Sequence, residues 1–150
     1  MIRMSTGLRD AVVSNYGVAA MLTGGLIKLY SGSQPSSADA PASGTLLGAV
    51  TQNGYAIGSG NEGLVLTFGP VAGQVVNFED WVFKGLGAGE IGWWRFEGPE
   101  ESEIDEGDPY SIVRLDGDRS DAILNLPKSV TSTDQFKLKM FIITMPAFGS

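Results

Sequence analysis

Residues 97–108 carry seven carboxylate side chains, the densest group of chemically active residues in this 150-residue chain. Like charges at this density repel one another unless a cation or a basic partner lies among them. Carboxylate oxygens bind Ca²⁺, and they also attract basic protein surfaces. The run therefore has three interpretations: a solvated loop, a contact with a basic neighbouring subunit, or a weak calcium site. Its spacing matches no calcium-ligand pattern.

A second acidic segment, residues 116–121, places Asp116 and Asp118 two residues apart, as in a calcium-binding loop. It lacks the third alternating ligand, the Gly at the sixth position and the distal Glu of such a loop. An Asp-Gly pair between two apolar stretches is also typical of a hairpin turn. We therefore predict a turn at Asp116-Gly117 between strands at 111–115 and 122–126, with no metal ion.

The chain contains neither His nor Cys, which removes the side chains most used for catalysis and metal binding. Triad hydrolases, thiolate zinc sites and disulfides are excluded. A glycosidase-type carboxylate pair remains chemically possible, but the candidate carboxylates fall in acidic loops, where the desolvation that raises a carboxyl pKa is least available. The glycine-rich residues 85–89 are not followed by the Lys of a phosphate loop. We predict a protein that is not an enzyme and binds no cofactor or metal.

The three tryptophans, Trp81, Trp93 and Trp94, could form a platform that stacks on sugars of a host glycan. Alternation along a strand places Trp93 and Arg95 on one face and Trp94 and Phe96 on the other. At most one of these faces can be exposed, so the other is predicted to be core. Trp93 beside Arg95 is a candidate interface anchor, because both residue types are enriched at binding hot spots.

The elements that position these residues are predicted to be mainly short β-strands, since 21 of the residues are Gly and turn residues separate short β-prone segments. The predicted strands are residues 26–30, 45–50, 64–68, 75–78, 81–84, 91–96, 111–115, 122–126 and 136–145. This spacing predicts an antiparallel β-sandwich or jelly-roll-like barrel with one N-terminal α-helix.

The predicted helix starts at a cap, Ser5 or Thr6, and ends at Gly24-Gly25, giving a helical segment 1–24 and a β domain 25–150. Gly17 weakens its middle, so the segment is one bent helix or two short ones. Two polar segments, residues 31–43 and 53–63, are predicted to be exposed loops.

The net charge of −7 makes nucleic acid an improbable partner, because affinity for phosphate backbones depends on clusters of Lys and Arg. No apolar run is long enough to cross a bilayer, and the N-terminus lacks the apolar region of a signal peptide. We therefore expect no membrane partner and no secretion by a signal peptide.

Five short stretches carry a resemblance: STGLR at 5–9, LYSGSQP at 29–35, SADA at 37–40, GTLL at 44–47 and TMPA at 144–147. Together they resemble a family of small virion structural proteins of tailed bacteriophages. The resemblance implies a β-sandwich or jelly-roll protein, made in the cytoplasm of the host bacterium and built into the virion in many copies.

Within that setting, we favour a capsid cement or decoration protein that bridges and stabilises major capsid protein subunits, as a homo-oligomer and preferably a trimer. A tail, collar or baseplate component in contact with other virion proteins is the structural alternative, and a host-glycan-binding module on the virion is the alternative from another class. The predicted assembly contacts are Leu8, Val12, Tyr16, Gln34, Pro35, Ala38, Trp93, Arg95 and Phe148. For the helix residues, packing against the protein's own sheet is the competing interpretation.

Overall fold

The computed structural model describes residues 1–14, 17–121, 125 and 127–144. Its helices and strands are, in chain order, β1 (Arg3–Met4), α1 (Thr6–Ser14), α2 (Val18–Leu22), β2 (Leu26–Tyr30), β3 (Leu46–Gln52), β4 (Leu66–Phe68), β5 (Gln74–Asn77), β6 (Trp81–Gly85), β7 (Gly89–Glu90), β8 (Trp93–Glu97), β9 (Arg114–Asp118), β10 (Ser129–Val130), β11 (Gln135–Lys137) and β12 (Ile142–Thr144). Single 3₁₀ turns lie at Glu101–Glu103, Pro109–Ser111 and Arg119–Asp121.

The strands form three sheets. The large sheet has the strand order β1-β9-β8-β2-β3-β6-β11, the small sheet the order β12-β5-β4, and β7 pairs with β10. All pairings among the described strands are antiparallel. The structure therefore confirms the predicted mainly-β, antiparallel fold class, in a sandwich-like arrangement.

The N-terminal segment folds as two short helices instead of one. Ser5 caps α1, because its hydroxyl oxygen accepts a hydrogen bond from the amide of Leu8 at 3.3 Å. Gly24, two residues after α2, has a φ of +94°, a conformation that favours Gly. Helix α2 thus ends at Leu22, just before the predicted stop at Gly24-Gly25.

Among the described residues, one hydrophobic core cluster joins the two helices, the large sheet and the small sheet. From the helices it receives Leu8, Val18 and Leu22. Its aromatic centre is Phe141, whose ring lies 5.1 to 6.0 Å from those of Trp81, Phe96 and Trp94. Ring contacts of this kind stabilise the core beyond the burial of apolar area, because aromatic pairs prefer particular relative orientations.

The turn predicted at Asp116-Gly117 is wrong, because both residues lie inside β9. Gly117 pairs with Trp94 on β8, and a Cβ at that position would overlap the Trp94 ring. The Gly therefore serves close packing and not a turn. Strand β9 spans Arg114–Asp118 instead of 111–115, and the predicted second arm at 122–126 lies outside the described residues apart from Asn125.

The predicted long last strand, 136–145, is also wrong in its described part. It divides into β11, at the edge of the large sheet, and β12, at the edge of the small sheet. Between them the strand alternation is broken, since two consecutive residues, Lys139 and Met140, are exposed between the buried Leu138 and Phe141. The side chain of Asn77 accepts a hydrogen bond from the Phe141 amide at 3.0 Å, which holds the chain where it crosses between the sheets.

Candidate functional site

The candidate site is the face of the large sheet that points away from the core. Lys28 on β2, Arg95 on β8 and Asp116 on β9 lie in register across adjacent strands, and Arg3 on β1 continues the row. Residues in register share one face of a sheet, so this row lies opposite the core residues Ile27 and Leu29. We call it the covered face, because the loops 31–45 and 98–112 lie over it.

The row centres on a buried ion pair. Arg95 donates from Nε and Nη2 to the two carboxylate oxygens of Asp116, at 2.7 and 2.9 Å. Arg95 is 1% exposed and Asp116 0% exposed. Burial raises the pKa of Asp116, and the Arg95 guanidinium opposes this rise. This enclosed pair links β8 to β9, and removal of either partner would leave the other as a buried charge without a partner.

Beside this pair, the guanidinium of Arg114 joins the two covering loops. Nε and Nη2 donate to the carboxylate of Glu101, with a closest distance of 2.7 Å, and Nη2 also donates to Glu106 at 2.9 Å. Nη1 faces the backbone carbonyls of Asp39 and Ala40 at 3.1 and 3.2 Å. A planar guanidinium can satisfy all of these acceptors at once, which an ammonium cannot.

Further hydrogen bonds hold the loop 31–45 against the covered face and the start of α1. The Arg3 side chain donates to the Pro35 carbonyl at 2.7 Å, and the indole N–H of Trp93 donates to the Ser43 carbonyl at 3.1 Å. The Thr6 amide donates to the carboxylate of Asp39 at 2.7 Å. The loop therefore belongs to the body of the protein and is not a free arm.

Tyr30 and Trp93 close one end of the covered face. Their rings stack at 4.6 Å, and the guanidinium of Arg95 lies 5.2 Å from the Trp93 ring. Burial raises the pKa of Tyr30 to about 12, so its hydroxyl stays neutral.

At the other end, Glu97 forms an ion pair with Lys28 at 3.0 Å. Burial raises the pKa of Glu97, while Lys28 acts to lower it. Glu97 also lines a cavity of about 400 Å³, next to a second cavity of about 230 Å³ between α2 and the loop 98–112.

Contacts within the chain offset part of the negative charge of residues 97–108. Arg114 is the basic partner of Glu101 and Glu106, so part of the run is neutralised from inside. Among the described residues, no group of three or more carboxylates has the arrangement of a metal site. None of the helices described is long and apolar enough to span a bilayer.

The predicted interface residues lie mostly inside the fold. Leu8, Ala38, Trp93 and Arg95 are buried, Val12 packs partly against the core, and Gln34 and Pro35 are half-buried. Tyr16 and Phe148 lie outside the described residues. The prediction assumed that these residues are exposed, and four of them are not. Helix α1 packs against its own protein.

The tryptophans offer no sugar platform, because Trp81, Trp93 and Trp94 are all at most 2% exposed. The alternation of the sequence is confirmed, with Trp94 and Phe96 in the core and Trp93 and Arg95 on the opposite face. What the sequence does not reveal is that a loop covers the second face as well.

Several of the exposed apolar residues that sequence reasoning missed lie on or beside the small sheet. Phe68 at the end of β4 is 92% exposed, and Val71 in the following turn is also exposed. Phe78 and Met140, exposed as well, flank the pairing of Asn77 with Phe141. The available signal was Phe68 directly before Gly69-Pro70, an apolar residue at a turn. We call Phe68, Val71, Phe78 and Met140 the open apolar set.

The chain matches no protein-family model, and no curated protein or solved structure is significantly similar to it.

Proposed function

We propose that this protein is a non-enzymatic structural subunit of a tailed-phage virion and works by surface contact with neighbouring subunits. The observation that supports this proposal is Phe68 of the open apolar set, a large aromatic side chain that is 92% exposed at the end of an apolar strand face. The phage setting rests on the sequence resemblance at residues 5–9, 29–35, 37–40 and 44–47.

Phe68 has the geometry of a contact residue. It lies two residues after Leu66, on the same face of β4, and in register with Val75 on β5. Leu66 is buried in the core and Val75 packs against it, whereas Phe68 extends beyond the core. The apolar face of the small sheet therefore continues past the protein's own contacts.

Within the virion we favour a capsid cement role in contact with the major capsid protein, as a trimer. A tail, collar or baseplate role is the alternative, and copy number distinguishes the two. Quantitative gel analysis of purified virions is the test: copies on the order of hundreds support cement, because capsid lattices repeat a contact many times, while a dozen or fewer contradict it. Absence of the protein from virions contradicts the whole proposal.

A matched pair of variants tests the contact surface. We expect Phe68→Ser to reduce incorporation into virions at least about tenfold, as loss of an aromatic hot spot would. Val13→Ser is the control, because Val13 is 87% exposed but lies on α1, away from the small sheet. Loss of incorporation for Val13→Ser with normal incorporation of Phe68→Ser would assign the contact to the helix instead.

A further inference from the structure

Two neighbouring cavities lie near Glu97. The smaller, of about 230 Å³, is lined mainly by aliphatic groups, among them Ala20, Met21, Ile104 and Val113. The larger, of about 400 Å³, is lined by Lys28, Glu62, Glu97 and Ser102 among others. Both have Gly98, Pro99 and Glu101 in their walls, so they are adjacent. We call the pair the Pro99 groove.

The groove carries an excess of negative charge. Its walls hold four carboxylates, of Glu62, Glu97, Glu100 and Glu101, and one ammonium, of Lys28. Arg114 forms an ion pair with Glu101, and Lys28 forms one with Glu97. Within the described part of the chain, Glu62 and Glu100 have no ion-pair partner. The carboxylates of Glu103, Asp105 and Asp108 lie exposed nearby in sequence.

We propose that the Pro99 groove binds a short basic segment of a partner protein, in which an aliphatic side chain enters the smaller cavity and an adjacent Arg or Lys enters the larger one. Charge complementarity selects a cationic occupant, since an anionic one would meet the excess of carboxylates. The aliphatic cavity next to it selects a peptide over a simple metal ion, which would leave Met21 and Val113 without a partner.

This inference deepens the proposed function and rests on it in one respect, namely that the partner is a neighbouring virion protein. The groove and the open apolar set involve different residues. A subunit could therefore make one contact through the small sheet and another through this groove.

The test is titration of the isolated protein with two short peptides, acetyl-Gly-Leu-Arg-Gly-amide and the same peptide with Gln in place of Arg. Met21 lines the groove, so the NMR signal of its ¹³C-labelled methyl group reports occupancy, and Met140 on the small-sheet side is the internal control. We expect the Arg peptide to shift the Met21 signal in a saturable manner, at millimolar concentration or below, with Met140 unchanged. No shift of Met21, or equal shifts with both peptides, would overturn the proposal.

Two variants at one exposed position sharpen the test. Ser102 lies in the wall of the larger cavity on an exposed 3₁₀ turn, so its replacement leaves the core intact. We expect Ser102→Lys to weaken binding of the Arg peptide about tenfold by charge repulsion and Ser102→Gln to leave it nearly unchanged. Equal affinity of the two variants would contradict the proposal. Because the titration uses no virions, its failure is separable from a failure of incorporation.

Discussion

The covered face of the large sheet encloses charged side chains, whereas the small sheet leaves a large apolar side chain exposed. On the covered face, Arg95 and Asp116 are enclosed under two loops of the same chain. On the small sheet, Phe68 points into solvent from an edge strand. The two polar loops thus enclose charged side chains within the fold, while the small sheet leaves a large apolar side chain exposed at its edge.

The largest expected effect comes from breaking the enclosed ion pair. We expect Arg95→Met to lower the free energy of unfolding by about 3–5 kcal/mol, because Asp116 is left as a buried charge without its partner. Chemical denaturation measures the change. The double variant Arg95→Met/Asp116→Leu should recover much of the loss, since it removes both charges. A double variant as unstable as the single one would show that the packing of the Arg95 side chain, and not its charge, is what matters.

The next effect separates two residues of one strand. We expect Leu66→Ala to lower the free energy of unfolding by about 2–5 kcal/mol, as buried Leu truncations do. Phe68→Ser, two residues along on the same face, should change it by less than about 0.5 kcal/mol. Denaturation curves of the two variants give both values. A large loss for Phe68→Ser would mean that Phe68 packs against this protein itself, which would remove the basis for the open apolar set.

A smaller effect should follow from replacing Arg114 by Lys. An ammonium keeps the charge but cannot reach Glu101, Glu106 and the loop carbonyls together. We expect a loss of about 2 kcal/mol, within the range for hydrogen bonds to charged groups. Hydrogen exchange should also show faster exchange of backbone amides in the loop 31–45. Glu106→Gln is the control, expected to lose less than about 1 kcal/mol, because Glu106 is half exposed.

The smallest effect is a pH dependence due to Glu97. Burial raises its pKa above the ordinary value of 4.5, so the folded protein binds a proton more tightly than the unfolded chain does. Its contribution to stability is therefore largest below pH 4.5 and falls as the pH rises through the raised pKa, by no more than about 1.4 kcal/mol per pH unit.

Comparison of the wild type with Glu97→Gln isolates this group. The free energy of unfolding of the wild type, minus that of the variant, should decrease with rising pH in this window. Asp118, whose pKa is lowered to about 2, titrates below the window. A difference that increases with pH would mean that Lys28 outweighs burial and lowers the pKa of Glu97.

Short-range sequence patterns predicted the structure correctly where it depends on residues close together in the chain. The bounds of β2 and the left-handed turn residue Gly24 after α2 follow from short-range patterns. The alternation of β8 gave the correct two faces. Burial of the second face depends instead on Arg114, which binds carbonyls about 75 residues earlier in the chain. Periodicity carries no information about such distant contacts, which is why Trp93 and Arg95 were predicted at a surface.

Gly117 illustrates the same limit at a single residue. An Asp-Gly pair is a strong local turn signal, but the missing side chain here makes room for the Trp94 ring on the neighbouring strand. The sequence does not predict the open apolar set either, because an isolated Phe in a sequence looks the same whether or not a core covers it.

The hydroxyl of Ser5 connects the start of α1 to backbone atoms far along the chain. It donates to the carbonyl of Ile112 and accepts from the amide of Arg114, 107 and 109 residues later. During synthesis at about 5–20 residues per second, these partners follow Ser5 after several seconds or more. The first helix can therefore be locked in place only when β9 has been made, so completion of this fold on the ribosome depends on the second half of the chain.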